Sequence, residues 1–161
     1  MRRRELAERM ARFREACRSL GLSATYQRLA IYKALVTLPH PSPDEICRIV
    51  RKTYPSLSLA TVYKTLERLE RAGIAGKVNL LHEAARFEAR PDPHHHVMCV
   101  DCKRIDDLEP ASLGAPLPAT IDGLGLPDSV RRDYHLLGYS LMVRGLCRAC
   151  QGKPRGRGGP A

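Results

Sequence analysis

Two pairs of cysteines have the spacing of metal ligands. Cys99 and Cys102 form one Cys-x-x-Cys pair, and Cys147 and Cys150 form a second. A Cys-x-x-Cys turn directs two thiolates at one metal, and two such turns complete a closed tetrahedral zinc site. That site has no open position for a substrate, so we expect a structural zinc that holds the fold together. A redox pair or unrelated buried thiols are the alternatives.

A run of three histidines, His94 to His96, precedes the first cysteine pair. In an extended segment alternate residues share a face, so His94 and His96 project together while His95 points away. Two imidazoles on one side are half of a site for a borderline divalent metal. The alternative is a loop of solvated histidines. Further ligands are available elsewhere in the chain, namely His40, Glu88 and Asp107.

A third segment with chemical potential is a helix predicted from Ser58 to Ala72. Four leucine and valine side chains at 3-4-3 spacing form its apolar side. The opposite face is cationic, with small residues and a tyrosine near its start, which suits insertion into the major groove of DNA. A solvated face of a bundle helix is the alternative. We expect base contacts from Ala60, Thr61, Tyr63 and Lys64, and phosphate contacts from Arg68 and Arg71.

The elements that position these residues begin with two further helices. Thr25 can cap a helix that runs to about Leu38 and ends at the following prolines. Its predicted buried stripe is Leu29, Tyr32, Leu35 and Val36. The next helix starts at Ser42, where proline at the first helical position and Glu45 three residues after the cap form a capping box. It is predicted to end near Tyr54.

Behind the third helix, Gly73 stands where a helix C-terminal glycine is expected. Short β-like runs over 74–78 and 85–89 would form a hairpin, and three helices followed by a hairpin indicate a winged helix-turn-helix. Farther along, 97–108 has moderate strand propensity around the first cysteine pair, and 134–145 alternates like a strand. The stretch 110–128 is rich in Pro, Gly and Ala and receives no assignment.

Charge is unevenly distributed. Residues 1–78 carry 16 Lys and Arg against 7 Asp and Glu, a net of +9 out of +10 for the chain. An excess confined to one half is the footprint expected for a polyanionic partner, although a generic basic surface is the alternative. No run of 18 apolar residues suggests a membrane span, and the N-terminus is too charged for a signal peptide. We therefore expect a cytoplasmic protein, in which the cysteines are metal ligands or, for Cys17 and Cys47, core thiols.

With these motifs in place, the chain resembles the ferric uptake regulator (Fur) superfamily of metal-responsive transcriptional regulators. The resemblance covers about Gly21 to Cys150. It rests on six motifs in the same order: residues 21–28 (GLSATYQR), His40-Pro41, residues 58–66 (SLATVYKTL), Arg86-Phe87-Glu88, His94-x-His96 and the two cysteine pairs.

The resemblance implies an α+β fold, in which an N-terminal winged helix-turn-helix precedes a small α/β dimerisation domain with a structural zinc. The implied boundaries are 1–89 for the winged helix (with 1–20 as a basic lead), 90–96 for a hinge, 97–150 for the dimerisation domain and 151–161 for a disordered basic tail. It implies zinc at Cys99, Cys102, Cys147 and Cys150, and a regulatory metal at His40, Glu88, His94, His96 and Asp107. Tyr63 matches the family's base-contacting tyrosine, and Arg28 joins Ala60, Thr61, Lys64 and Arg68 among the expected DNA contacts.

The function implied is a metal-dependent repressor that binds a palindromic DNA operator as a homodimer, with no catalytic residues and no small-molecule substrate. The glutamate at Glu88 resembles the ligand of iron-sensing members, whereas the aspartate at Asp107 resembles that of peroxide sensors. An iron or peroxide response is therefore expected, with Fe(II), Mn(II) or Zn(II) as the regulatory ion. A zinc- or manganese-responsive regulator, and a zinc-ribbon protein-interaction module, are the alternatives. The 44 residues between Cys102 and Cys147 exceed the family's usual number.

Overall fold

The structure is a computed structural model that describes residues 2–78, 85–89, 94–109, 121–136 and 139–152. The chain divides into two compact units, residues 1–92 and 93–161. The first is mostly helical and the second contains a three-stranded sheet, so the α+β class is confirmed. Among the helices that the structure describes, none is long and apolar enough to cross a bilayer.

The first unit opens with α1, Arg3–Ser19, in a segment that the sequence indicated as a basic lead. This helix buries Phe13 and Cys17. The ring of Phe13 stacks on that of Tyr32, with the centroids 3.8 Å apart and the planes 5° from parallel. Because charged residues are frequent in this helix and most of its residues are exposed, the apolar periodicity that would reveal it is weak.

Three further helices follow, each started by a side-chain cap. α2 spans Tyr26–Thr37 behind Thr25, whose hydroxyl accepts the N–H of Arg28 at 3.2 Å. α3 spans Pro43–Val50 and α4 spans Leu59–Arg71. The predicted capping box of α3 is present, with Ser42 and Glu45 bonded in both directions. α3 ends before the predicted Tyr54, and turns occupy 51–53.

The core of the first unit lies between these helices. In α2, Tyr32 and Leu35 are buried as predicted, but Leu29 and Val36 are half-buried and Ile31 is fully buried. The predicted stripe was too narrow because α2 packs against α1, α3 and α4 together. The side chains that form the core include Phe13, Ile31, Leu35, Ile46, Val50, Leu57, Val62, Leu66, Leu69 and Phe87.

The wing follows α4. Gly73 has a φ of +67°, and the N–H of Ile74 donates to the carbonyl of Leu69 at 2.8 Å, which closes the helix end. β1, Gly76–Lys77, then pairs antiparallel with β2, Phe87–Glu88. The hairpin is present but shorter than predicted, and this winged-helix order agrees with the sequence.

The second unit is built on a sheet of order β4-β3-β5. β3 is His95–Cys99, β4 is Ile105–Leu108 and β5 is Met142–Gly145. β3 runs antiparallel to β4 and parallel to β5. A 3-10 helix at Ile121–Leu124 and the helices α5, Asp128–Asp133, and α6, Arg148–Gln151, complete the described elements.

Two boundaries in the second unit differ from the sequence-based expectation. The strand predicted over 134–145 was too long, because parallel pairing with β3 begins at His96 opposite Met142 and lasts four residues. The predicted hinge of 90–96 overlaps β3, since His95 and His96 already belong to that strand. Residues 90–93, 110–120 and 153–161 lie outside the described residues, so the predicted disordered tail stays a prediction.

Candidate metal centres and nucleic-acid interface

Each cysteine pair of the second unit sits in a tight turn. After Cys99, which ends β3, the N–H of Lys103 donates to the Cys99 carbonyl at 3.0 Å, and Lys103 has a φ of +61°. The second turn caps α6, where the N–H of Cys150 donates to the carbonyl of Cys147 at 2.8 Å. These turns bring two thiols of each pair to the same side of the backbone.

The four thiols meet in one cluster. The Sγ atoms of Cys99, Cys102, Cys147 and Cys150 all lie within 4.8 Å of one another, and those of Cys102 and Cys147 are 3.7 Å apart. Tetrahedral zinc with Zn–S bonds of about 2.3 Å requires sulfur separations of about 3.8 Å. All six cysteines are free thiols, so the cluster is not a disulfide arrangement. The donor set and its dimensions therefore fit a zinc ion.

Hydrogen bonding divides the thiols of this cluster by acidity. The backbone N–H of Cys147, 3.3 Å from the Cys99 sulfur, is the largest of several backbone contacts that lower the pKa of Cys99 to about 6. A hydrogen bond to Asp101, together with burial, raises the pKa of the Cys150 thiol. The pKa values of Cys99 and Cys150 shift in opposite directions because the neighbouring sulfurs titrate together as one set. A divalent cation would favour all four thiolates by supplying the missing positive charge.

A second cluster in the same unit joins two histidines to an acid. Because His96 pairs with Asp107 across the sheet, the two residues project to one face. Asp107 Oδ1 lies 3.5 Å from His94 Nε2 and 3.9 Å from His96 Nε2. The two imidazole rings are 4.5 Å apart and buried, whereas the Asp107 side chain is 40% exposed. Two nitrogens and one oxygen converge there.

His95 faces the other way, as the alternation predicts. Its Nδ1 accepts the backbone N–H of Leu141 at 3.2 Å, and its ring lies 5.4 Å from the ring of Tyr139. These contacts tie β3 to the segment before β5. His95 is therefore part of the sheet's packing, while its two neighbours belong to the histidine–aspartate cluster.

The first unit also holds a histidine–carboxylate pair. His40 Nε2 lies 3.3 Å from Glu88 Oε2, and His40 is buried. Its φ of +41° is rare for a residue other than glycine, and such strain is concentrated at functional sites. The N–H of Phe87 donates to the carbonyl of Pro41 at 3.1 Å, which docks β2 on this loop.

Arg86 supports the same loop, a role that the sequence did not reveal. Its Nη1 donates to the His40 carbonyl at 2.9 Å and to Glu45 Oε2 at 3.0 Å. Since Glu45 belongs to the capping box, Arg86 links the helix α3 to the His40–Glu88 pair. The motif around Phe87 contained the only available signal, a cation two residues before a candidate ligand.

The outer face of α4 has the composition expected for a nucleic-acid interface. Ala60, Lys64 and Arg68 are exposed, and the Tyr63 side chain is 38% exposed. Thr61 is half-buried, and its hydroxyl lies 2.8 Å from that of Ser58. The opposite side of the helix is in the core, so this face is presented away from it.

Arg28, an expected DNA contact, is buried and does not lie on the open surface of the first unit. It is 9% exposed, and its Nη1 donates to the carbonyl of Ser23. Its position at the start of α2 places it beside the residues of α4 that face outward, Thr61, Lys64 and Arg68.

Comparisons with known proteins agree with this arrangement. Residues 19–121 match the sequence model of the Ferric uptake regulator family. The chain is 38% identical over 109 residues to Ferric uptake regulation protein 1 of Mycolicibacterium fortuitum, covering 67% of this chain and 68% of that protein. It is 29% identical over 150 residues to the peroxide-responsive repressor PerR of Staphylococcus aureus, covering 92% and 93%.

A solved structure of the same family has a similar fold. The solved ferric uptake regulator of Helicobacter pylori superposes with a TM-score of 0.67, covering 93% of this chain and 96% of that one, at 22% identity. The structural likeness concerns the fold, while the sequence matches extend through the helices, the wing and the first strands of the second unit. The chain belongs to the ferric uptake regulator family.

Proposed function

We propose that the chain is a metal-dependent transcriptional repressor that binds a palindromic DNA operator as a homodimer. Zinc at Cys99, Cys102, Cys147 and Cys150 holds the second unit together and takes no part in sensing. A second divalent ion, bound by both units, favours the DNA-binding form. Membership of the ferric uptake regulator family supports a metal-responsive regulator.

The observation that carries the proposal is the division of nitrogen and oxygen ligands between the two units. His40 and Glu88 converge in the DNA-binding unit, while His94, His96 and Asp107 converge in the other. Neither group alone fills the coordination sphere of a divalent ion, which takes four to six ligands. Glu88 and His94 are six residues apart, so their Cα atoms are separated by at most about 22 Å. One shared ion is therefore within reach of both groups.

A shared ion would act through the difference between two arrangements of the units. It binds the arrangement in which all five ligands meet and leaves the others unliganded. To shift the population from 1:99 to 99:1, the ion must favour that arrangement by about 5.5 kcal/mol. The favoured arrangement fixes the separation of the two α4 helices in the dimer, and that separation selects a palindromic site.

The ligand types bear on which ion is sensed. Three imidazoles with two carboxylates and no thiolate can bind Mn(II), Fe(II), Co(II) or Zn(II), so the ligand types alone do not identify the ion. Relatives named for ferric uptake and for a peroxide response support an iron- or peroxide-responsive regulator. A zinc- or manganese-responsive regulator is the alternative, since the same ligands accept those ions.

Two rivals from other classes make different predictions. A zinc-ribbon module that holds a protein partner would show no salt-dependent DNA binding, whereas a repressor loses affinity steeply as salt rises. A zinc hydrolase needs an open coordination position with a nearby base. The sequence has neither His-Glu-x-x-His nor the His-x-Glu with Pro-Cys-x-x-Cys of zinc deaminases, so an enzyme is disfavoured.

The test begins with selection of an operator from a random duplex library by protein that carries zinc at the cysteines and is given, in turn, an excess of Fe(II), Mn(II) or Zn(II). DNA affinity is then titrated with Fe(II), Mn(II) and Zn(II) under anaerobic conditions, and again after a peroxide pulse. We expect affinity to rise with at least one ion and, for a peroxide sensor, to fall irreversibly after the pulse. If protein with zinc at the cysteines alone binds the operator as tightly as protein given excess divalent metal, the proposal is wrong.

A further inference from the structure

A cavity of about 200 Å³, lined by polar and charged residues, lies within the first unit, between the start of α2 and α4. Hydroxyl, amide and cationic side chains line it, and among the described residues no carboxylate does. The volume is several times the roughly 30 Å³ that one water molecule occupies in the liquid, so a group larger than water can enter. Its three cations are Arg28, Lys64 and Arg68.

Arg28 is buried in the wall of this cavity. Its Nη1 donates to the carbonyl of Ser23, and its side chain is nine-tenths buried. Nε of Arg28 is buried without a hydrogen-bond partner in the described part of the chain. Burial of a guanidinium without a compensating anion is unfavourable, so the site is electrostatically incomplete.

The other two cations of the cavity, Lys64 and Arg68, also lack a paired carboxylate among the described residues. Among the residues that the structure describes, neither Lys64 nor Arg68 forms an ion pair within 4 Å, and neither does Arg28. Three positive charges thus face one cavity. The cavity also lies at the N-terminus of α2, a helix of 12 residues whose amides and dipole favour an anion.

We propose that this cavity binds one phosphate group of the DNA backbone. The bound phosphate would hold the start of α2 against the duplex while the exposed face of α4 enters the major groove. Arg28 then positions the protein and reads no base, because phosphate contacts fix register without carrying sequence information. The inference rests on the proposed DNA-binding function and assigns to it a specific anchoring site. A free phosphate ion has the same chemistry and is separated from the DNA backbone by the experiments.

The first experiment measures how affinity depends on salt. Full-length metal-loaded protein binds a mixed-sequence duplex across a range of KCl concentrations. Arg28→Gln should lower the magnitude of the slope of log K against log [salt] by about 0.9, the value for one phosphate contact. Lys33→Gln removes an exposed cation from the same helix, outside the cavity, and should leave the slope unchanged.

A second variant guards against misfolding. If Arg28→Gln fails to fold by circular dichroism, Lys64→Gln replaces it, because the Lys64 side chain is exposed and its removal leaves the core intact. Slopes for the folded cavity variants that equal those of the wild type and of Lys33→Gln overturn the proposal.

The second experiment finds the phosphate itself. Operator duplexes carrying a single uncharged methylphosphonate linkage are scanned along each strand. Wild-type protein should lose about tenfold in affinity at one linkage per half-site, the effect of one hydrogen bond to a charged group, and Arg28→Gln should be indifferent to that linkage. If the two proteins lose equally at every linkage, the proposal fails. The ligand is then the free anion if inorganic phosphate raises the unfolding midpoint of the wild type and not of Arg28→Gln.

The two proposals fail separately. Duplex binding that ignores the second metal would remove the repressor mechanism and leave the Arg28 salt-slope result standing. Metal-dependent operator binding with an unchanged salt slope for Arg28→Gln would support the repressor mechanism and overturn the phosphate site.

Discussion

The guanidinium of Arg86 donates to the backbone carbonyl of His40 at 2.9 Å and, through the same Nη1, to the carboxylate of Glu45 at 3.0 Å. One side chain thus joins the strained loop of a proposed metal ligand to the start of α3. The His40 imidazole, through its Nε2, lies 3.3 Å from Oε2 of Glu88. Arg86 therefore connects the loop of the His40–Glu88 pair to the helix α3.

Arg86→Met is expected to weaken binding of the second metal by about tenfold or more, because supports of metal ligands commonly contribute that much. The loop would lose the bond that holds the His40 carbonyl, and the imidazole would lose its preset orientation. Isothermal titration with Mn(II) on zinc-loaded protein measures the change. Arg131→Met, which removes an ion pair with Asp122 in the second unit, is the matched control. Equal Mn(II) affinity for the two variants would contradict a positioning role.

His96→Ala should lose most of its affinity for the second metal, since it removes one of the two imidazoles beside Asp107. His95→Ala is the control on the neighbouring residue, whose side chain faces Leu141 and Tyr139. It should lower stability while it keeps the metal. Metal content after dialysis, measured together with the thermal midpoint, separates the two effects. Loss of the second metal from both variants alike would show that the opposite faces do not divide the roles.

Cys147→Ser should release zinc and destabilise the second unit, because the thiolates of structural zinc sites supply folding free energy directly. The variant is expected to contain one zinc ion per chain fewer than the wild type, and to lose the cooperative unfolding of its sheet. Cys47→Ala removes a buried thiol of the first unit and should keep the zinc. Zinc analysis by mass spectrometry and calorimetry follow both. Full zinc occupancy in Cys147→Ser would exclude the four-sulfur site.

Glu45→Gln tests the capping box through its pH dependence. Burial raises the pKa of Glu45, but the Ser42 amide and Arg86 outweigh it, so the pKa of the carboxyl is lowered overall. A carboxyl whose pKa is lower in the folded than in the unfolded protein stabilises the fold at pH values above its unfolded-state pKa, which is about 4.3 for Glu. This stabilisation is lost as the pH falls through the folded-state pKa.

The variant should therefore unfold with about 1 kcal/mol less free energy at pH 7, and its difference from the wild type should shrink below about pH 4. Urea unfolding at a series of pH values measures this difference, in which acid effects on the zinc cluster cancel. Glu67→Gln, on the exposed side of α4, is expected to show no such pattern. A difference that stays constant down to pH 3 counts against the ionised carboxylate.

Tyr63→Ala should reduce affinity for the selected operator while leaving mixed-sequence binding and its salt dependence unchanged. Tyr63 is 38% exposed on the outer face of α4, where an apolar ring can contact a base edge. Competition between operator and mixed-sequence duplexes gives the specificity ratio, which should fall about tenfold. This outcome is the opposite of that expected for Arg28→Gln, so the pair separates base reading from phosphate anchoring. An unchanged ratio would remove Tyr63 from the reading surface.

Local signals in the sequence predicted much of this fold. Caps at Thr25, Ser42 and Ser58 act over three residues, so their effect is visible in a linear reading. The alternation of His94, His95 and His96 is equally local and gave the correct faces. The cysteine spacing predicted the cluster because two short turns limit where the thiols can point.

Features that depend on distant packing could not be read in this way. Arg28 is buried in the folded unit, and nothing in its neighbourhood along the chain predicts that burial. The length of β5 depends on where β3 offers partners, from His96 onward. Arg86 supports residues about 40 positions away, so its role needed the tertiary contact.

The stacked rings of Phe13 and Tyr32 have a consequence for the arginines of α1. Because the stack holds that helix on α2, its cations sit on a rod about 25 Å long and not on a loose arm. A loose arm must surrender conformational freedom whenever it meets a polyanion, and that surrender weakens association. Here the ordering is completed during folding. The arginines of α1 are therefore preorganised, and they reach any partner with their spacing already set.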